Sequence, residues 1–228
     1  MLVAEALLGE LDVQVVYLDE AFADDLVGPY AELLSAAEYR GVEPRVAPTG
    51  LLADVLSTVS PQPCAAVLAL PTRSATDVLD RPGPVVLLAE VKDPGNAGTI
   101  IRAAEATGVG GVLSLPGTVD LFSPKVVRAS AGSILRIPAA SVSFNELATS
   151  RADRRLVGLA MDGSASLWDA ALDDRVILVA GNEAHGIDPE LVAQLDVSLS
   201  IPMAGDVESL NVAMATTVVL YELVRRRP

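Results

Sequence analysis

A single cysteine and a single histidine limit the chemistry open to this 228-residue chain. One thiol, Cys64, cannot close an intrachain disulfide, which fits a reducing, cytoplasmic setting. It reads as a small buried apolar side chain rather than a nucleophile. With His185 as the only imidazole no convincing metal cluster can be assembled, and no metal is expected. A membrane span is lacking too. The longest apolar stretch, Leu210 to Val224, is broken by Asn211, Thr216, Thr217 and Glu222 and falls short of the ~20 residues a span needs. The N-terminus carries Glu5 and no basic n-region, unlike a secretory signal. No Gly-x-Gly-x-x-Gly opens a first βαβ unit, so an ordinary Rossmann nucleotide site is poorly supported. The chain has no internal repeat and no low-complexity tract.

Positive charge is scarce. Thirty acids face 16 bases, for a net charge of −14, and only two bases, Lys92 and Lys125, are lysine. Such a balance argues against a broad, non-specific grip on nucleic acid, because phosphate neutralisation by cations supplies most of that affinity. Residues 1–80 hold 13 acids and three bases, whereas residues 81–228 hold 17 acids and 13 bases. The second part is therefore nearly balanced, with Lys125, Arg128 and Arg136 as one basic cluster and Arg151, Arg154 and Arg155 as another. Arginine suits bidentate phosphate contacts, although solvated arginines on helix faces are at least as common.

With 51% hydrophobic residues and 15 prolines spread among periodic segments, the chain is expected to be globular and long enough for two small domains. Strands are expected at Val13–Leu18, Val42–Ala47 and Ala65–Leu70, with helices at Pro29–Tyr39 and Gly50–Leu56, which makes a small α/β unit. Residues 71–84 carry the turn and proline signals of a linker, with 76–83 at its centre. A second series follows: strands at Val85–Ala89, Gly111–Leu115, Leu156–Ala160, Val176–Ala180 and Val197–Ile201, and helices at Ala97–Thr107, Pro124–Ala131 and Leu210–Arg226. Apolar strands alternating with helices imply an α/β fold with a parallel sheet covered on both faces. In the last helix, Val212, Ala215, Val219 and Leu223 fall at helical spacing and are expected in core.

Three segments place polar side chains where a strand leads into a helix, the usual position of ligand sites in such sheets. They are Asn96-Ala-Gly-Thr-Ile-Ile-Arg102, Gly181-Asn-Glu-Ala-His-Gly-Ile187, and Ile201-Pro-Met-Ala-Gly-Asp-Val-Glu-Ser-Leu-Asn-Val-Ala213. The chain resembles the SpoU (TrmH) branch of the SPOUT RNA 2′-O-ribose methyltransferases, whose motifs run N-x-G-x-x-x-R, G-N-E-G-x-G and I-P-M-x-G-x-x-x-S-L-N-V-x-x-A. The third motif is matched at every fixed position through Ala215, and the first at Asn96, Gly98 and Arg102. The second departs once, with Ala184 in place of glycine, so the loop after Glu183 is expected to sit differently or to hold the methyl donor less tightly. His185 beside it reads as a variable loop residue.

The resemblance implies a SPOUT-type parallel sheet with a C-terminal trefoil knot, a homodimer, and S-adenosylmethionine as methyl donor. It also implies a preceding domain like ribosomal protein L30e over residues 1–75, with Met1 falling inside that domain's first helix, so that a leading segment is expected to precede it. The methyltransferase domain would cover residues 84–228. Gly181, Ile201 and Leu210 would line the donor pocket through backbone and apolar contact. Arg102 would be central to catalysis, with Asn96, Glu183, Ser209 and Asn211 around it. The family mechanism is usually written with the arginine as base; a guanidinium is physically easier to place as a phosphate anchor stabilising charge on the attacking oxygen, with Glu183 orienting the guanidinium or the nucleotide, and the sequence does not decide between the two versions. Asn96 and Ser209 are also residue types that cap helices. Ribosomal RNA is the expected substrate, transfer RNA the alternative. From a different class comes a regulatory RNA-binding protein without turnover.

Overall fold

The computed structural model describes residues 2–9, 11–23, 28–56, 60–71, 73–160, 163–205, 207 and 209–227. The chain divides into two compact units, Met1–Pro71 and Thr72–Pro228.

In the first unit β1 (Val13–Asp19) pairs in parallel with β2 (Pro44–Ala47) and antiparallel with β3 (Cys64–Leu68). Helices α1 (Leu2–Leu8), α2 (Pro29–Tyr39) and α3 (Leu51–Val55) complete it. Their apolar stripes supply the core. Leu33, Ala36 and Ala37 of α2 are buried at i, i+3 and i+4, as are Ala6 and Leu7 of α1 and alternate residues Val16 and Leu18 of β1. Cys64 is buried in β3, and burial pushes its thiol pKa up, which keeps it a protonated apolar filler.

The second unit contains a sheet of seven parallel strands in the order β6-β5-β4-β9-β7-β10-β8. The strands are β4 (Val85–Leu88), β5 (Gly111–Ser114), β6 (Ala139–Ser141), β7 (Arg155–Leu159), β8 (Ala165–Ser166), β9 (Val176–Ala180) and β10 (Val197–Ser200). The helices are α4 (Ala75–Leu79), α5 (Pro94–Ala106), α6 (Pro124–Ala129), α7 (Phe144–Ser150), α8 (Pro189–Val192) and α9 (Val212–Arg226). β4 and β9 are buried at every position, so alternate residues face opposite layers. Val86, Leu88, Leu178 and Ala180 join one cluster with residues of α5 and α9. Val85, Leu87, Ile177 and Val179 join a second with residues of α4, α7 and α8. The parallel sheet covered on both faces is thus present. Val219 and Leu223 of α9 are buried, whereas Val212 and Ala215 are half-buried.

The segment read as a linker contains α4. Ser74 and Asp77 close a capping box around its first turn, and Ala75, Val78 and Leu79 are buried in the second cluster. Its proline-rich flanks hid a helix too short to show a period. For the same reason β6, α7, β8 and α8 carry no periodic signal in the sequence.

Gly98 shows how closely α5 and α6 approach: a Cβ there would lie 2.4 Å from the Ala129 Cβ and 2.7 Å from the Ser130 nitrogen. Arg154, expected in a basic surface cluster, is instead buried. Its guanidinium donates to the carbonyls of Leu79, Arg81 and Gly83 and staples the turn between α4 and β4. Its neighbours are committed as well, Arg151 to Asp196 and Arg155 to Asp173, while Arg136 pairs with Glu105. Both expected clusters therefore lose members to structural bonds. Arg154→Met leaves three carbonyls without their donor and should destabilise the chain by about 3 kcal/mol. Denaturant unfolding will show this as a lower midpoint; an unchanged midpoint would contradict it.

Candidate active site

In the sheet order β5 and β6 lie to one side of β4, while β9 and β7 lie to the other, so the β4/β9 boundary is a switch point, the place where ligand sites form in such sheets. The segments leaving both strands meet there. After β4, Glu90 is held in the left-handed region at φ 59°, with its N–H donated to Thr118 Oγ1 and its carbonyl accepting from the Asn182 amide. After β9 the chain folds back on itself through a bridge between Asn182 and Gly186, at φ 72°. A Cβ on Gly181 would lie 2.6 Å from the Gly186 carbonyl carbon, so this fold-back needs glycine at both ends. The Asn182 side chain also accepts from the Ala184 and His185 amides, an Asx-type turn.

Ala184 sits in this loop without left-handed backbone. Positive φ falls on Gly186, and Ala184 is not among the non-glycine residues with positive φ, so its Cβ meets no backbone strain. The family's glycine at this position is therefore not needed for the loop to form here. His185 is exposed.

Helix α5 begins at Pro94, three residues earlier than its apolar periodicity indicates, because Asp93 is its N-cap and accepts the Asn96 N–H at 2.8 Å. The Asp-Pro pair is the signal for this start. Asn96 is thus not a cap, and its side chain is free to bridge. Its amide donates to Glu183 Oε1 at 3.0 Å, while its oxygen accepts from the Asn211 amide at 2.9 Å. Asn211 caps α9, accepting from the N–H groups of Ala213 and Met214. α9 accordingly starts at Val212, and Ser209 is not its cap.

Three of the sequence-derived candidates, Asn96, Glu183 and Asn211, therefore form one hydrogen-bonded chain joining segments 87 and 115 residues apart. Glu183 also accepts from the backbone N–H groups of Lys92 and Asp93. Burial raises its pKa, but the hydrogen bonds from Asn96 and those amides outweigh it, and the carboxyl sits below its ordinary value. A depressed carboxylate stabilises the fold above its unfolded pKa and loses that contribution as pH falls through its folded value. The Lys92 and Asp93 amides should accordingly be protected from hydrogen exchange at neutral pH and lose protection only once the pH falls below the ordinary carboxylate range. Protection that persists in Glu183→Gln at pH 7 would contradict this.

Arg102 and Ser209 are not drawn into the chain. Arg102 lies six residues, about 9 Å, along α5 from Asn96. Its side chain is exposed and makes no hydrogen bond or ion pair among the described residues. Ser209 is exposed and likewise unbonded. Of the two roles expected for Glu183, pairing with the arginine is not seen, since backbone amides and Asn96 occupy the carboxylate. Gly181 is buried, and Ile201 and Leu210 are half-buried beside the strand ends. Among the described residues of 201–210 no backbone group joins a backbone hydrogen bond, so the amides and carbonyls of this glycine-containing loop are left without backbone partners there. Asn182 and Asp93 are the organising residues that sequence reasoning passed over; the Asx turn and the proline at the first helical position were their signals. No metal-holding group occurs among the described residues, and none of their helices is long and apolar enough to cross a membrane.

Strand-end loops with unpaired backbone groups are the kind of place that can hold a nucleoside-like ligand, and Arg102 is an uncommitted guanidinium on the helix that Asn96 ties to them. Comparison with known proteins points the same way. Residues 83–221 match the SpoU rRNA Methylase family. The 23S rRNA (guanosine(2553)-2′-O)-methyltransferase RlmP of Bacillus subtilis is 34% identical over 173 residues, covering 74% of this chain and 67% of that protein. The 23S rRNA (uridine(2479)-2′-O)-methyltransferase of Streptomyces viridochromogenes is 38% identical over 150 residues, covering 62% of this chain and 52% of its own length. The chain thus spans between half and two thirds of these curated relatives. The AdoMet-bound rRNA methyltransferase of Sinorhizobium meliloti superposes with a TM-score of 0.84 at 27% identity, covering 98% of this chain and 84% of that one. Family model, relatives and structure agree, and the chain belongs to the SpoU rRNA methylase family.

Proposed function

We propose that this chain transfers a methyl group from S-adenosylmethionine to a ribose 2′-hydroxyl of 23S ribosomal RNA. The observation that carries the proposal is the chain Asn211–Asn96–Glu183, which ties the three motif loops into one site at the switch point. Names of the relatives favour ribosomal over transfer RNA. The loops suit the donor: an open loop of unpaired backbone groups can read an adenine edge, and half-buried Ile201 and Leu210 can back the nucleoside. When bound, the donor supplies an electrophilic methyl on a sulfonium. Every other part belongs to the protein.

As the acceptor oxygen bonds the methyl carbon, the carbon–sulfur bond breaks to leave a neutral thioether and the hydroxyl proton passes to solvent at this exposed site. The acceptor hydroxyl is a weak nucleophile until it is held in line and its developing charge is stabilised. Arg102, exposed and uncommitted, is the group for that task. It anchors the phosphate beside the reacting ribose and stabilises charge on the oxygen. Glu183 is a positioning residue, since its carboxylate is fully engaged in holding the start of α5 against the β9 loop. Asn96 and Asn211 carry that restraint to α9, and Ser209, exposed and unbonded, positions the nucleotide.

Family membership also supports the trefoil knot in the second unit, an L30e-like RNA-binding role for residues 1–75, and a cytoplasmic location. A homodimer is supported further by α9. Met214 and Tyr221 are exposed one heptad apart, 58% and 54%, with half-buried Thr217 and Val218 between them, an apolar face suited to a second copy. The test is incubation with methyl-labelled donor and separate 23S ribosomal and transfer RNA pools. Label is expected in the ribosomal pool; label in transfer RNA alone, or in neither, would overturn the proposal.

A further inference from the structure

We propose that the cavity at the carboxyl ends of β5 and β6 takes a nucleobase of the RNA substrate, with the strand's phosphates running over Lys92, Arg102, Lys125 and Arg128. This rests on the RNA-methyltransferase reading above. The first support is where cations remain uncommitted. From residue 129 onward every arginine is tied to a carboxylate or a carbonyl, the last three included: Arg225 and Arg226 bind Glu222, and Arg227 binds Asp174. The side chains of Lys92, Arg102, Lys125 and Arg128 are exposed and unbonded among the described residues; that of Arg81, at the turn between α4 and β4, is too, but it lies outside this group. They fall on the β4–α5 segment, on α5 and on α6, and α5 and α6 meet where Gly98 packs on Ala129. Arg102 lies one turn beyond Gly98 on the same face of α5, and Arg128 adjoins Ala129. The pair thus borders one seam. In a chain of net charge −14, four exposed cations on the β4–α5 segment, α5 and α6, two of them beside one helix seam, are the groups we assign to a local phosphate track.

The second support is the cavity itself. It measures about 510 Å³ and is walled by Ser114, Leu115, Pro116, Asp120, Phe122 and Ser141, among others. That volume lies within the ~300–1,000 Å³ of sites that enclose a small ligand. Its polar groups have capacity to spare. The Ser114 and Ser141 hydroxyls share one hydrogen bond at 3.3 Å, and Asp120 uses only Oδ1, which accepts the Phe122 N–H. Next to Phe122, the Ser123 hydroxyl oxygen is buried with no hydrogen-bond partner, the one such atom among the described residues. Phe122 and Pro116 offer apolar surface for a base to stack on. The wall is also fixed to the site: Thr118 Oγ1 donates to the Leu88 carbonyl and accepts from Glu90 N–H, and Val119 N–H donates to the Val91 carbonyl. A base in the cavity therefore keeps its register with Asn96 and Arg102. A carboxylate that only accepts selects a base edge rich in N–H donors and disfavours uracil, whose edge is mostly carbonyl.

The test uses the full chain and fluorescently labelled 12-nucleotide oligocytidylate and oligouridylate. Cytidylate is expected to bind at least fivefold more tightly. Asp120→Asn, which keeps the acceptor for Phe122, and Ser141→Trp, which fills the cavity, should both erase that preference. The double variant Lys125→Ala/Arg128→Ala should weaken both oligonucleotides equally and flatten the log–log salt slope by about 1.4, two phosphate contacts on single strands. Donor affinity and thermal midpoints should stay unchanged in all three. An unaltered preference in Asp120→Asn and Ser141→Trp, or an unaltered slope in the double variant, would overturn the inference. Binding that follows this pattern without methylation of 23S RNA would count against the enzyme reading alone; methylation without the pattern would count against the cavity and track alone.

Discussion

Arg102→Ala is expected to lower methyl transfer 10²–10³-fold while donor affinity stays within about twofold. The side chain is exposed and unbonded, so the fold loses nothing measurable when it is truncated. What is lost is the group that anchors the acceptor's phosphate and stabilises charge on the attacking oxygen, a loss of about 3–4 kcal/mol where such a donor acts in the transition state. Arg102→Lys should recover only part of the rate, because an ammonium cannot reproduce a bidentate fork. Single-turnover rates with saturating RNA, set beside donor calorimetry, check the split. Normal turnover in Arg102→Ala would remove the arginine from the mechanism, and a parallel loss of donor binding would move it to the donor side.

Leu210→Arg should abolish donor binding, weakening it at least 100-fold, about 3 kcal/mol. Leu210 is half-buried between the open loop and the cap of α9, and a guanidinium there would have to be desolvated for a nucleoside to pack on it. Leu210→Met preserves volume and apolar character and should bind within about threefold. With both variants showing the parent's thermal midpoint, unchanged affinity in Leu210→Arg would place the donor elsewhere on the chain.

The long periodic elements were legible from the sequence because their patterns reflect burial on two faces: strands Val85–Leu88 and Val176–Ala180 read as unbroken apolar runs, and α9 as an apolar stripe. Between β5 and β7, α6 was legible from its proline start, but β6 and α7 were not, since elements of three and seven residues carry too few residues to show a period. Cap chemistry shifted two helix starts. Asp93 outcompeted Asn96 because it precedes a proline at the first helical position, and Asn211 outcompeted Ser209 because its side chain reaches two amides of α9. The burial of Arg154 is a tertiary fact with no local signature, as is the engagement of Glu183 with amides 90 and 91 residues away. Motif order identified the family, but only the folded chain shows which motif residues touch. Asn96, Glu183 and Asn211 do; Arg102 and Ser209 stay clear, as groups reserved for substrate would.

The central claim is ribose methylation by a site assembled from three motif loops, and the chemical position of the transferred methyl tests it most directly. After incubation of 23S RNA with the full chain and labelled donor, alkaline hydrolysis should leave the label in an alkali-resistant dinucleotide, since a 2′-O-methyl group blocks cleavage of the adjoining phosphodiester. Label released in ordinary mononucleotides, carried on a base, would contradict the account.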